Sequence, residues 1–362
     1  MKYDNFINIL ESYVEERKNE ALFLFEDENT INKINRMLDN KLNHTKRVVD
    51  LVVSLAIKLN MHINYDKIVA ASGLLHDIGR FNQALFYQNF DDSGVFSKGK
   101  NHGDYGYQLL TTSFREIKLF DEVVDDNSKP VIAKSVELHQ RGSLPNEYNY
   151  KLNNDLKNTD PNSILTGSYN FNELEQRIIS ALLHMVRDAD RMDILWQRAS
   201  GEIAAVTDNV YLRNTGNVSE MAKKWGVLEK TILDNNDEDR LNSKPHIILP
   251  REDIPVEKLF VNPKLIEKMK DLENIDLRSL QNEDDYTFIT ALWWSIYTFL
   301  KDMNFIGNLK EVKERGFLEK IYNQYPLEYR PLIDEIFKFA NETLIAEQLD
   351  NNKDNLYVNR KR

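Results

Sequence analysis

Residues 71–80 read Ala71-Ser72-Gly73-Leu74-Leu75-His76-Asp77-Ile78-Gly79-Arg80. Ahead of the His-Asp pair, Ile68, Val69 and Leu75 recur at helical spacing, so residues 66–77 are expected to form a helix that Gly79 breaks. A carboxylate set against an apolar helix face costs free energy unless something pairs with it. The flanking helices supply candidates. Residues 42–60 put His44 on one face with Val48, Leu51, Val52, Leu55 and Leu59. Residues 172–199 put Asp190 one turn after Val186, on the side of Ile179, Leu182 and Leu183, with Asp193 also on the apolar side. Asp188 and His184 fall on the opposite, polar side, where His184 reads as structural. Polar ligands embedded in separate apolar helix faces point to one buried site built between helices.

The remaining chain reads mostly as helix. Residues 1–40 form two helices, the first striped by Phe6, Ile9, Leu10 and Tyr13. Residues 81–101 read as a loop carrying Phe86, Tyr87, Phe90, Phe96, Lys98 and Lys100. Helices fit 103–120 and 129–140, which place His102 before one and His139 near the end of the other. Residues 142–171 are an Asn-rich insertion with Pro145, Pro161 and Gly167, long enough to be either a lid or a disordered stretch. Past residue 200, 234–257 reads as a polar, Pro-punctuated linker or surface loop, and holds one of the few strand signals, Ile247-Ile248-Leu249. Helices then fit 284–304, 308–323 and 329–348, and Trp293, Trp294 and Tyr297 read as helix packing. The expected fold class is all-α, with a domain over residues 1–200 (core 35–200) and a helical region over 201–362 packing on it.

Composition narrows the chemistry. The 362 residues contain no cysteine, which excludes thiolate nucleophiles, zinc ribbons, iron–sulfur clusters and disulfide scaffolds. The net charge is −11, and the one basic cluster is the tail Asn359-Arg360-Lys361-Arg362, so duplex nucleic acid is an unexpected partner. No apolar run approaches the ~18 residues of a membrane span and the N-terminus lacks a signal-peptide pattern, so a cytoplasmic, soluble chain is expected, and a homo-oligomer is compatible with it. No Gly-rich phosphate loop is present, which leaves phosphate contacts to metal, Arg or Lys.

The order His44, His76-Asp77, His102, His139, Asp190 resembles the HD-domain superfamily of metal-dependent phosphohydrolases over residues 35–200. Leu-Leu-His-Asp-Ile-Gly-Arg at 74–80 is similar to the family's helix-terminal His-Asp motif. Arg-Asp-Ala-Asp-Arg-Met-Asp at 187–193 is similar to its closing Ala-Asp-x-x-Asp stretch. The resemblance implies an HD helical bundle in which His44, His76, Asp77, His102, His139 and Asp190 bind one or two divalent ions of the Mn, Fe, Ni, Co or Zn type. Asp77 would bridge the two ions, which activate a water and clamp a phosphoryl group. Asp77 and Arg80 are the expected catalytic residues, and Arg80 and Arg141 the expected substrate-binding ones. His62 and His246 read as surface. The implied substrate is a small phosphorylated molecule, a nucleotide or related metabolite. The Gly-Tyr-Pro signature of the cyclic-dinucleotide branch is missing after His139, where Gln140-Arg141-Gly142-Ser143-Leu144-Pro145 follows. Two other functions fit the same ligand order: an HD-fold di-iron oxygenase similar to myo-inositol oxygenase, and a non-catalytic ligand-sensing module.

Overall fold

The computed structural model describes residues 3–88, 90, 101–141, 144–150, 155–200, 267, 288–324 and 327–350. Among them every regular element is helical and no strand occurs. No described helix is long and apolar enough to cross a membrane. The expected strand signal at 247–249, the linker at 234–257, and Phe96, Lys98, Lys100 and His246 lie outside the described residues. The chain divides into two compact units, Met1–Asp193 and Ile194–Arg362.

In the first unit, α1 (Asp4–Leu24) is followed by the long α2 (Glu28–Lys58). Asp27 caps α2, its carboxylate accepting from the Thr30 N–H at 2.8 Å. The face of α2 that runs through Ile34, Leu38, Leu42, Val48, Val52 and Leu55 is buried, and His44 and Thr45 are buried with it. Helix α3 (Asp66–Leu75) is apolar all round and buried from Ile68 to Leu75, so it forms the centre of the bundle. It crosses α2 closely: a Cβ on Gly73 would stand 3.3 Å from the Val49 Cα.

The chain then departs from the sequence-based expectation. The helix ends at Leu75, and His76 and Asp77 form the turn that follows it. Gly79 does not break a helix; it lies inside a new one, α4 (Ile78–Tyr87), which replaces the loop expected from residue 81. Ile78, Phe81, Asn82 and Leu85 make its buried face, a stripe that the glycine obscured. Gly79 is there for space, since a Cβ would lie 2.7 Å from the His102 carbonyl oxygen and 3.1 Å from the Gly106 nitrogen. Helix α5 (His102–Thr112) therefore packs against α4 at backbone distance.

The helix expected over 103–120 is two. Ser113, in an extended conformation, separates α5 from α6 (Phe114–Val123). Next comes α7 (Lys129–Leu138), started by Pro130 in its first turn. The insertion is neither a free lid nor disordered where it is described. Tyr148, Leu156, Pro161 and Leu165 are buried, and the Tyr150 backbone is bonded to Ser180 through both its N–H and its carbonyl. Helix α8 (Glu173–Ser200) follows.

The second unit contains helices Phe288–Asp302, Ile306–Glu314, Phe317–Asn323, Asp334–Lys338 and Ile345–Asp350, the last two joined by a π-turn at Phe339–Leu344. Trp293 is fully buried and meets Phe337 edge to face, with ring centroids 6.3 Å apart, so it packs helices as expected. The Trp294 side chain lies outside the described residues.

Candidate metal centre

Four helix segments deliver histidine donors to one point. His76 and His139 each sit one residue beyond a helix, α3 and α7. In both rings Nδ1 lies 2.7 Å from a carbonyl oxygen three residues back, Gly73 for His76 and Val136 for His139. A carbonyl only accepts, so Nδ1 carries the hydrogen and, in the neutral ring, Nε2 presents a lone pair. His44, inside α2, is held by a side chain instead: its Nδ1 is 2.6 Å from Asp193 Oδ2. That carboxylate also accepts from Arg47 Nε at 2.5 Å. His102 opens α5, where Asn101 and Asp104 form a reciprocal capping box that fixes the helix start.

All four rings face Asp77. Asp77 occupies the N-cap position of α4, yet its side chain makes no capping hydrogen bond. Its backbone sits at φ −105°, ψ 19°, in the sparsely used bridge region common at functional sites. Oδ2 lies 3.5 Å from His44 Nε2 and 3.4 Å from His76 Nε2. Oδ1 lies 3.2 Å from His102 Nε2 and 3.8 Å from His139 Nε2. The last two nitrogens are 3.2 Å apart. Asp190 flanks the Oδ2 side, its Oδ1 3.2 Å from His44 Nε2.

The electrostatics differ across the cluster. Burial and the Lys41 ammonium both push the His44 pKa down, yet Asp190, Asp193 and Asp77 together raise it to about 10. Burial drives His139 down to about 4, with Asp77 only partly offsetting it. Asp77 stays well below the usual carboxylate range in spite of burial, because Lys41, His76, His102 and His139 all favour its ionised form. Asp190 and Asp193 are also lowered against the burial effect, mainly through His44.

This donor set fits a transition-metal ion. His44, His76 and Asp77 bring one ligand atom each within 4.8 Å of one another, as do Asp77, His102 and His139. All five residues are buried, and His76 Nε2 has no hydrogen-bond partner. Asp77 belongs to both sets, one oxygen per set. Buried imidazole nitrogens around a carboxylate suit first-row transition ions far better than calcium or magnesium.

Of the six expected ligands, five lie in these sets and Asp190 adjoins them through His44. Asp188 does not: it is completely buried on another side of α8, with Arg191 Nη1 3.6 Å from its Oδ1. That side of α8 is not the polar surface the sequence predicted, since Asp188 and His184 are both buried. Arg80 is at the edge, donating to Gln83 Oε1 at 2.7 Å and to the Phe90 carbonyl at 2.6 Å. Arg141 donates to Asp104 at 3.0 Å and Glu137 at 2.9 Å. His62 is half-buried and caps a short turn through Nδ1.

Sequence reasoning missed Lys41. Its Nζ is 2.6 Å from Asp77 Oδ2. The signal was present: Lys41, His44 and Arg47 lie three residues apart on one helical row, and all three reach carboxylates of the site.

The family model of the HD domain matches residues 42–195, a span that contains every ligand candidate from His44 to Asp190. No curated protein and no solved structure matches the chain.

Proposed function

We propose, from the HD domain carried by residues 42–195, that the chain is a metal-dependent phosphohydrolase that cleaves a phosphate ester, of a nucleotide or a related phosphorylated metabolite. The observation that supports this most is Asp77, whose two carboxylate oxygens each face a separate pair of histidine nitrogens. His44, His76, Asp77 and Asp190 would hold one ion, and Asp77, His102 and His139 a second. A bound transition ion there supplies a water of lowered pKa and a positive clamp on the phosphoryl oxygens.

The chain's own residues contribute orientation and charge. The Gly73 and Val136 carbonyls fix the ring orientation and tautomer of His76 and His139, and Asp193 does the same for His44. Arg80 is our first choice for a phosphate contact, since it shares the Phe90 ring with Lys41 at the edge of the cluster. Arg141, shared between Asp104 and Glu137, is the second. A screen of phosphorylated metabolites with added Mn, run with and without oxygen, tests the assignment. Release of phosphate under anaerobic conditions is the expected result. Turnover only of non-phosphorylated substrates, and only with oxygen, would favour an oxygenase, and binding without turnover would favour a sensing module.

A further inference from the structure

We propose that Lys41 is a displaceable cation: it neutralises Asp77 until a metal ion arrives, and then moves to the substrate phosphate beside Phe90 and Arg80. The inference rests on the hydrolase assignment for the phosphate and on geometry for the rest. The Lys41 ammonium lies 2.6 Å from Asp77 Oδ2, the oxygen that His44 Nε2 and His76 Nε2 also face. It is therefore the Asp77 oxygen that both histidines of the first three-residue set face. A metal ion bound there would sit ~2.0–2.2 Å from a carboxylate oxygen. An ammonium left in hydrogen-bond contact with the same oxygen would then face a divalent cation at close range in a poorly solvated site, and the repulsion expels it.

The side chain has somewhere to go. It is 20% exposed, and its four-carbon stem gives the ammonium several reachable positions. Its nitrogen already stands 5.6 Å from the Phe90 ring centroid, within cation–π range. The Arg80 guanidinium lies 5.7 Å from the same centroid. Two cations around one ring repel each other, and an anion between them removes the repulsion. Arg80 is anchored by Gln83 and the Phe90 carbonyl. Lys41 is the cation whose partner the metal takes, so metal loading and phosphate binding are linked through one side chain. Before loading, the same ammonium keeps the buried Asp77 carboxylate compensated.

The test uses the full chain stripped of metal, with Co(II) as the probe ion and inorganic phosphate as the probe anion. Cobalt affinity is read by competition with a chelator, and phosphate binding by the visible spectrum of the cobalt-loaded protein. Lys41→Met should tighten cobalt about tenfold, equivalent to about 1.4 kcal/mol, and weaken phosphate by a similar factor. Lys41→Arg should restore most of the phosphate affinity. Lys134→Met, which removes a cation paired with Glu137 away from Asp77, should change neither quantity. Lys41→Gln repeats the loss of charge if the methionine variant folds poorly. Unchanged or weaker cobalt binding in Lys41→Met overturns the proposal, as does phosphate affinity equal to that of the unmodified chain. Cobalt-loaded unmodified protein that ignores phosphate contradicts the hydrolase assignment itself, a different failure from either of these.

Discussion

The two sides of the Asp77 carboxylate are built differently. On the Oδ2 side, His44 is held by the Asp193 carboxylate and flanked by Asp190, and its pKa rises to about 10. On the Oδ1 side, His139 is held by a backbone carbonyl and its pKa falls to about 4. A histidine tied to a carboxylate is a stronger base and shares a negative charge with the site. One tied to a carbonyl has its tautomer fixed with Nε2 turned to the site, but the carbonyl brings no charge. The Oδ2 side thus offers an ion two carboxylates, Asp77 and Asp190, against the single shared carboxylate of the Oδ1 side. The Oδ2 side should bind its ion more tightly, and the Oδ1 side should be the one that loses metal first.

The largest effect is expected at the shared residue. Asp77→Ala should remove metal from both sides and abolish phosphate release, as measured by elemental analysis and turnover. Retention of the normal metal content would break the comparison altogether, because Asp77 would then belong to neither side. Next in size is the contrast between the sides. Asp190→Asn should deplete the tight ion and His139→Ala only the weak one, read by metal content during stepwise dialysis against chelator. Asp188→Asn should retain both ions; a crippled Asp188→Asn would show that the wrong face of α8 has been assigned.

A smaller effect is expected at Asp193, which touches His44 but faces away from Asp77. Asp193→Asn keeps its shape but loses charge, and should weaken the tight ion about 10–100-fold while leaving the Oδ1-side ion in place. Equal loss from both sides would show that Asp193 supports the bundle rather than His44. The smallest change in metal content belongs to Arg80→Ala, which should leave it unaltered. Losing a charged hydrogen bond of about 1.5–3 kcal/mol should lower kcat/KM about 10–100-fold. Normal kinetics would mean that Gln83 and Phe90 are the whole of its role.

Much of this was legible before the fold. The apolar stripe behind His44 and the helical phase of Asp190 place both residues on buried faces, and the structure brings them within 3.2 Å. Proximity across helices, by contrast, is invisible in one-dimensional spacing. Gly79 looked like a stop because glycine weakens helices, whereas its tertiary reason is the His102 carbonyl 2.7 Å from where a Cβ would be. Ser113 is an ordinary helix residue by propensity, and the break there is a tertiary event. Lys41 drew no reading from the sequence, since lysine is usually solvated, and the fold shows the buried carboxylate at its end. Asp188 and His184 lie on a polar face by pattern, and α8 is buried on that face as well.

Anomalous diffraction from crystals grown with Mn would test the central claim, that the Asp77 carboxylate is the shared ligand of the metal centre, most directly. The expected result is a strong peak ~2.0–2.2 Å from Oδ2, liganded by His44 and His76, with a weaker one against Oδ1, His102 and His139. Manganese bound elsewhere on the chain, with Asp77 still paired to Lys41, would contradict it.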